Sequence, residues 1–527
     1  MPERCETRYV IVGSGVSGAL LAEGLLAAGK GPVLMLEAGP PLRMRDYRMW
    51  LDMVMAGKTP YAGLSDTQAD YVAQGAQPWQ IPGGRLFVRG GSTVHWGGWC
   101  PRMKPEDFEL RSRVGFGGLD WPWSYGQMEP FYARAERYLQ VAGDSADKDP
   151  PRRTPYPFEA PTFTLVDGVI IQALDRLEIS HYHIPIARNA VAINGMPQCV
   201  TTGTCNYCPL GARFTGDQPV ERLVARYSSA GTFELRTGAA VRRVIPDGRR
   251  RAAAVEYVDT ATGRITVVEA ENVMLCAGAL EVPKLMLASV APEWPRGLGN
   301  DRDLVGRFVV ANPFFYARGT APTNSQRLQE ELFIPTLGSR HWDTPQYQRE
   351  GKFLMNRSPS PNLNLAGQMV QGKTTAEIEA ATVGQQTLEL QGTVQTFSYP
   401  ENRVGIAPGN TRFGVPRTLI DTPREAYDNA LMARITGRMQ QVLNAIGYAT
   451  SSASMGAYPQ RGDHAMCTTR MSASPADGVV DTQFRVHGMD NVYILSNSVF
   501  PSGAAANPTL TLAALGFRLL GQLGAGI

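Results

Sequence analysis

The chain has 527 residues, 43% hydrophobic and 19% charged, with 51 Lys and Arg against 48 Asp and Glu. That is ordinary globular composition, long enough for two lobes with sizeable cores, and so small a net charge without a basic stripe excludes nucleic-acid binding driven by charge. Seven cysteines at irregular spacing are no disulfide framework, and the most apolar helical stretch, Leu510 to Leu523, is interrupted by Arg518 and too short to span a bilayer.

In chain order, the opening residues Met1 to Arg8 run straight into an apolar strand without the apolar core of a secretory signal. The chain therefore reads as carrying no export signal of its own and as soluble in a reducing compartment. Tyr9-Val-Ile-Val-Gly13-Ser-Gly15-Val-Ser-Gly18 predicts a strand, a Gly-rich turn and the start of an Ala/Leu-rich helix. Pro32 to Glu37 predicts a second strand ending in an acid. This is a βαβ unit with G-x-G-x-x-G at its first turn. Gly13 permits the tight turn, Gly15 lets a pyrophosphate approach the backbone, and Gly18 lets the helix pack close to the strand. The helix N-terminus offers free N–H groups to the phosphates, and Glu37 is placed to accept bonds from the ribose hydroxyls. The motif suits NAD and FAD alike.

A second Gly-rich segment, Gly90-Gly91-Ser92-Thr-Val-His95-Trp96-Gly97-Gly98, suits a backbone lying against a flat ligand. Trp121-Pro-Trp-Ser124 leads into an amphipathic helix with Ser124 as its N-cap. The loop from Gln198 to Gly211 then holds Cys199, Cys205 and Cys208 in the spacing C-x5-C-x2-C. Three cysteines leave one over for a disulfide, and no second pair supplies a zinc site. On spacing an iron–sulfur site leads and chance clustering is the alternative.

The run Gly248 to Arg251 reads as a solvated hairpin turn between strands at Ala240–Val244 and Ala253–Val258. Glu271 to Leu275 reads as a buried strand ending in a further turn at Cys276-Ala277-Gly278. The alternation from Thr387 to Phe397 and from Asn402 to Ala407 predicts strands, and Asp421 to Ile446 a long capped helix. Near the end stand Gly462-Asp-His464-Ala-Met-Cys467-Thr and Asn507-Pro508-Thr509-Leu-Thr, the latter opening the last helix. His181, His183, His341 and His487 read as surface or capping residues.

Together these landmarks resemble the glucose–methanol–choline (GMC) oxidoreductase family of FAD enzymes. They are the opening βαβ, the Gly-Gly-Ser-Thr loop, the Trp-Pro-Trp-Ser-Tyr helix, the Cys-Ala-Gly-Ala turn, and the His464 and Asn507 motifs. The resemblance implies an α/β fold: a Rossmann-like FAD-binding lobe plus a substrate lobe with a mixed or antiparallel sheet flanked by helices. The FAD lobe is expected from residues 1–160, 216–309 and 456–527, a Cys-rich insertion from 161–215, and the substrate lobe from 310–455. His464 is implied as the base taking the hydroxyl proton and Asn507 as the group holding the substrate oxygen. Gly13, Gly15, Gly18, Glu37, Gly90, Gly91, Ser92, His95, Trp96, Val241, Ala277, Gly278, Asn497, Pro508 and Thr509 are implied contacts of FAD. His95 is read as packing beside the flavin, with covalent attachment as the alternative. The family's usual Gly is replaced by Cys467 and by Ser472, which adds bulk beside the flavin.

The cysteine loop is similar to that of one branch of the family, the catalytic subunits of bacterial sugar dehydrogenases and glucoside 3-dehydrogenases. The branch implies a 3Fe-4S (Fe-S) cluster on Cys199, Cys205 and Cys208, a sugar or glycoside substrate, a c-type cytochrome acceptor and a small helper subunit. That helper carries the export signal, so the expected location is periplasmic, with cytoplasmic as the alternative. The last cysteine gap is two residues rather than three, and the branch's doubled first cysteine is Cys199-Val200 here. The main competing reading is an O2-using carbohydrate oxidase with inert cysteines. A lyase that keeps FAD only as structure is a third.

Overall fold

Two sheets frame the fold, and the site lies where the first of them ends. The computed structural model describes residues 3–56, 58–65, 69–76, 79–81, 83–200, 205, 207–248, 250–321, 335–343, 352–357, 365–378, 387–453 and 460–525. In the first sheet, Phe233–Thr237, Val33–Glu37, Glu3–Val12 and Ile265–Leu275 run parallel in that spatial order. The start of Ile265–Leu275 pairs antiparallel with Arg251–Asp259, which pairs in turn with Ala239–Asp247. Its end pairs parallel with Val492–Ile494. Gly248, with φ 69°, turns the hairpin expected there.

The central strands are buried on both sides, which is why Val10-Ile11-Val12 and Val33 to Leu36 read as continuous apolar runs. Helix Val16–Ala27 is buried on almost every face. It packs against the last helix, Thr509–Gln522, through glycines on each side. A Cβ on Gly24 would stand 2.5 Å from Leu520, and one on Gly516 would stand 2.5 Å from Leu20. Ser124 caps helix Tyr125–Tyr138 as expected, accepting from the Gln127 amide.

The second sheet is antiparallel, in the order Ala449–Ala453, Phe315–Thr320, Thr387–Val394, Lys352–Arg357, Leu337–Ser339 and Tyr182–His183. Its last strand comes from the segment read as an insertion. Tyr71–Gly75, from the opening segment, pairs with Pro416–Thr422, so chain from the expected FAD lobe also crosses to the substrate lobe. Within that lobe, residues 322–334, 344–351, 358–364, 379–386 and 454–455 lie outside the described residues.

One element differs from expectation. Asp421 is a strand residue paired with Arg403 and Gln74, and the helix runs over Asn429–Ala445. Pro423 favours extended backbone at Thr422, and Asp428 supplies the cap by accepting from the Leu431 amide at 3.0 Å.

A buried junction joins the two Gly-rich turns. Ser14 Oγ donates to Glu37 Oε2 at 2.6 Å and accepts from the Gly90 amide at 3.0 Å, with Ser14 itself wholly buried. A Cβ on Gly90 would stand 2.4 Å from the Asp217 nitrogen, so the second turn is wedged between the first turn and helix Asp217–Tyr227. Ser14→Ala orphans the Gly90 N–H in a dry place. A loss of about 1–3 kcal/mol in denaturant unfolding is expected; an unchanged midpoint and slope would show that the junction carries no stability.

Candidate active site

A single cleft of about 440 Å³ starts at the carboxyl ends of the parallel strands and continues to the second sheet. Its walls include Gly13, Gly15, Glu37, Gly91, Ser92, His95, Trp96, Val241, Ala277, Gly278, Asn497 and Thr509, together with His464 and Asn507. Of the other expected site residues, Gly18 and Gly90 lie behind the wall as packing glycines. Pro508 is the N-cap of the last helix. His181, His183, His341 and His487 line no part of the cleft.

The dinucleotide end is shaped for phosphate. A Cβ on Gly18 would stand 2.1 Å from the Gly13 carbonyl oxygen, which fixes the helix against its own turn. At Gly15 the same test meets nothing within 4 Å, because this face opens into the cleft. Gly15 is the N-cap of the helix and has no side-chain cap, so first-turn N–H groups are left for a ligand. Gly91 closes on this turn, its Cβ position 3.0 Å from Gly15 Cα.

Glu37 Oε1 accepts from the Gly39 amide at 2.9 Å, while Oε2 holds Ser14. Burial pushes its carboxyl up and the three bonds oppose that shift. Ala239, Ala240, Val241, Phe413, Val415 and Pro416 form an apolar slot beside it. The middle of the cleft holds a charged group that no motif announced. Arg85 donates to Tyr71 Oη at 2.8 Å and to the Ala277 carbonyl at 3.2 Å, and Glu281 is paired with Arg85 and Lys284. Burial alone would raise the Glu281 carboxyl, but Lys284 and Arg85 outweigh it and hold it at about 2. Asn497, in the cleft wall, has its Oδ1 buried with no partner among the described residues. The open Gly15 face, the apolar slot and this unmet acceptor fit an extended dinucleotide such as FAD.

His95 Nδ1 lies 2.7 Å from the Ser92 carbonyl and Nε2 3.2 Å from the Gly83 carbonyl. Burial lowers the imidazole pKa, and the neutral ring donates to only one of these carbonyls, the shorter contact being that of Nδ1 with Ser92. Trp96 Nε1 donates to the Phe214 carbonyl at 2.9 Å.

At the far end, His464 Nδ1 lies 3.1 Å from Asn312 Oδ1. Asn312 Nδ2 donates to the Ala504 carbonyl at 2.6 Å, which turns its oxygen toward the imidazole. Nδ1 therefore carries the proton and Nε2 is the acceptor nitrogen. Burial lowers the His464 pKa, Asp463 opposes the shift and Arg461 reinforces it. Asp463 is itself bound by Arg461 through two bonds of 3.0 and 3.1 Å. That pairing and the neighbouring His464 outweigh burial and hold its carboxyl at about 2. Phe314 meets His464 edge-on at 5.3 Å, and Asn507 completes this end of the wall.

Cys467 occupies the family's glycine position with φ 72°, so the loop keeps the left-handed conformation despite the side chain. Asn312 stands 152 positions from His464, and nothing local in the sequence singled it out. The Arg461–Asp463 pair had a faint signal, two opposite charges immediately before the histidine.

The cysteine loop departs from expectation. Among the described residues Cys199, Cys205 and Cys208 do not gather with other His, Cys, Asp or Glu side chains as a group of metal ligands. Cys208 Sγ is buried and accepts from the Ala212 amide at 3.4 Å. The intervening Thr201–Thr204 and Asn206 lie outside the described residues. Among the described residues the three thiols form no ready-made ligand set. Cys205 and Cys208 do act electrostatically on buried Arg213, which donates to the Val94 carbonyl at 2.7 Å and to the Trp96 carbonyl.

The chain is similar along nearly its whole length to known enzymes. It is 26% identical to the fructose dehydrogenase large subunit of Gluconobacter japonicus, covering 98% of this chain and 97% of that one. It is 28% identical to 6'''-hydroxyparomomycin C oxidase of Streptomyces lividus, covering 96% and 89%. The crystal structure of pyridoxine 4-oxidase from Mesorbium loti shares the fold, with a TM-score of 0.64 at 19% identity over 99% of both chains. Models of the GMC oxidoreductase N- and C-terminal regions match residues 8–307 and 398–516. The chain belongs to the GMC oxidoreductase family, whose FAD-dependent dehydrogenases and oxidases act on CH–OH groups.

Proposed function

We propose that this protein oxidises a hydroxyl of a sugar or glycoside, with His464 as base and Asn507 holding the substrate oxygen. The observation that carries the reading is the single cleft in which the dinucleotide turn and the His464–Asn507 pair share one wall. The relatives' names add the substrate class: one is a fructose dehydrogenase subunit and another a gluconate 2-dehydrogenase flavoprotein. Bound FAD would supply the acceptor for the hydride leaving the carbinol carbon. It would be held by the Gly13–Gly18 turn, Glu37, the Gly90–Trp96 loop, Val241, Ala277, Gly278, Asn497 and the start of the last helix.

The protein's own part is proton handling and orientation. Nε2 of His464 takes the hydroxyl proton while Nδ1–H stays on Asn312, which keeps the ring fixed during transfer. The Asn507 amide steadies the oxygen as charge develops on it. Burial excludes water, so the base reacts neutral, and the nearby Asp463 carboxylate stabilises the imidazolium that results. The backbone contact of His95 Nδ1 with the Ser92 carbonyl, which seats the ring in its own loop, favours a flavin held without a covalent bond.

A relay from flavin through an Fe-S cluster to a c-type cytochrome, a helper subunit and a periplasmic location belong to the same proposal. They rest on the branch resemblance, and no chemical step is routed through the cluster. Direct use of O2 is the second reading, favoured by the oxidases among the relatives.

Three outcomes are expected. His464→Gln should slow anaerobic flavin bleaching by sugar about 10²–10⁴-fold with flavin content unchanged; a loss below threefold would remove His464 as the base. Bleaching should rise with pH as His464 loses its proton, with the acid limb below the usual histidine range near ~6.5. Asp463→Asn takes away the charge that favours the imidazolium, so that limb should move to lower pH, and a shift to higher pH would contradict the assignment. Iron and acid-labile sulfide per flavin, measured on anaerobically prepared protein, decide the relay. About three irons support it, and none in a flavin-replete sample leaves the oxidase reading.

A further inference from the structure

The central strand of the second sheet, Thr387–Val394, has two faces of opposite character. Leu388, Leu390 and Val394 enter the apolar core, and Gly392 lies against Phe315 and Met439. Glu389, Gln391 and Thr393 alternate with them, and each is at most 5% exposed. A buried polar row in a central strand costs stability unless every group is bonded.

Glu389 is matched by Arg318 at 2.7 Å. Gln391 is only half matched. Its Nε2 donates to Oη of Tyr316, its cross-strand neighbour, at 2.9 Å, while Oε1 is buried with no partner among the described residues. Thr393 Oγ1 is likewise unmet. Gln391 lines the cleft that holds His464, Asn507 and Phe314, although it lies outside every motif. Tyr316 in turn bonds Arg461, the partner of Asp463, so the amide is fixed to the same charged group that flanks the base.

We infer that Gln391 Oε1 accepts a hydrogen bond from a substrate hydroxyl other than the one oxidised, and so selects a polyhydroxylated ring over a monohydric alcohol. A buried acceptor on a residue of the cleft wall, its amide held through Nε2, is pre-organised for a hydroxyl donor and is left unsatisfied by any substrate lacking one. This inference rests on the proposed sugar oxidation and adds the residue that reads the substrate.

The experiment uses flavin-replete enzyme and anaerobic flavin bleaching. D-fructose, D-glucose, methyl glucoside and benzyl alcohol are tried first, and then the monodeoxy analogues of the best sugar. In the wild type, one deoxy position should cost about tenfold in the second-order rate constant for bleaching. In Gln391→Met that penalty should vanish, the parent sugar should react about tenfold more slowly, and benzyl alcohol should be unaffected. Tyr316→Phe should keep the deoxy penalty, since it removes only the positioning partner. Should Gln391→Met fail to bind flavin, Gln391→Glu retains an acceptor of the same shape and should preserve the penalty. A penalty that persists in Gln391→Met or is lost in Gln391→Glu overturns the role of Gln391, as does equal slowing of sugar and benzyl alcohol. A wild-type flavin bleached by benzyl alcohol and by no sugar overturns the sugar reading itself, and the role of Gln391 falls with it.

Discussion

The site depends on one buried hydroxyl. Ser14 donates to Glu37 and accepts from the Gly90 amide, which joins the first strand's turn, the end of the second strand and the second Gly-rich segment at one point. Each partner needs the others. Glu37 is buried and would be costly without its bonds, and Gly90 is held against helix Asp217–Tyr227 with no room for a side chain. A side chain at Gly13, Gly18, Gly90 or Gly91 would push these turns apart. Gly15 alone among them is open, and the opening faces the ligand. The glycines thus divide into four that let backbones meet and one that lets a cofactor in.

From this junction the second Gly-rich segment leads away to His95 and Trp96, whose backbone is gripped by Arg213. The base end of the same cleft comes from a different part of the chain. His464 is fixed by Asn312, which is fixed by Ala504. The base is therefore oriented by a buried amide from the second lobe and not by a carboxylate. Its nearest charge, Asp463, is already neutralised by Arg461. Burial prevails over that weakened acid and keeps the imidazole below its ordinary pKa.

What the sequence revealed follows the range of each interaction. The opening βαβ unit, the hairpin around Gly248 and the Ser124 cap are fixed within a few residues, and each stands where local pattern put it. The helix expected from Asp421 began at Asn429 because Pro423 and pairing with a strand from residues 71–75 outweighed local helical periodicity. His464 and Asn507 were visible because their neighbours match a family pattern, but Asn312, Arg85 and Gln391 were not. Their partners lie 152, 192 and 75 positions away, beyond any local signal. The alternation from Thr387 was read as a strand, yet a polar row normally means solvent, and only the fold shows this one buried. The cysteine spacing is local too, yet among the described residues the fold shows no ligand group around it.

The loop that carries the base also bears a strain that its surroundings must hold. A non-glycine residue at φ 72° costs on the order of 1 kcal/mol or more, and Cys467 adopts it three residues after His464. The anchors on either side account for its persistence. The Cys467 amide donates to the Asn497 carbonyl at 3.1 Å, Thr468 Oγ1 to the Ala279 carbonyl at 2.6 Å, and Thr469 Oγ1 to Ser498 at 2.6 Å. Met466 pairs with Val310 just before the turn, and the Met471 amide donates to the Val499 carbonyl just beyond. Bonds to three separate segments leave the loop one conformation, so the strain is outvoted and cannot relax by moving the histidine. The same bonds tie the base to Asn497, whose unmet oxygen faces the cleft. The position of the proton acceptor and the wall against which a flavin would lie are therefore one rigid unit, which is what a transfer sensitive to fractions of an ångström requires.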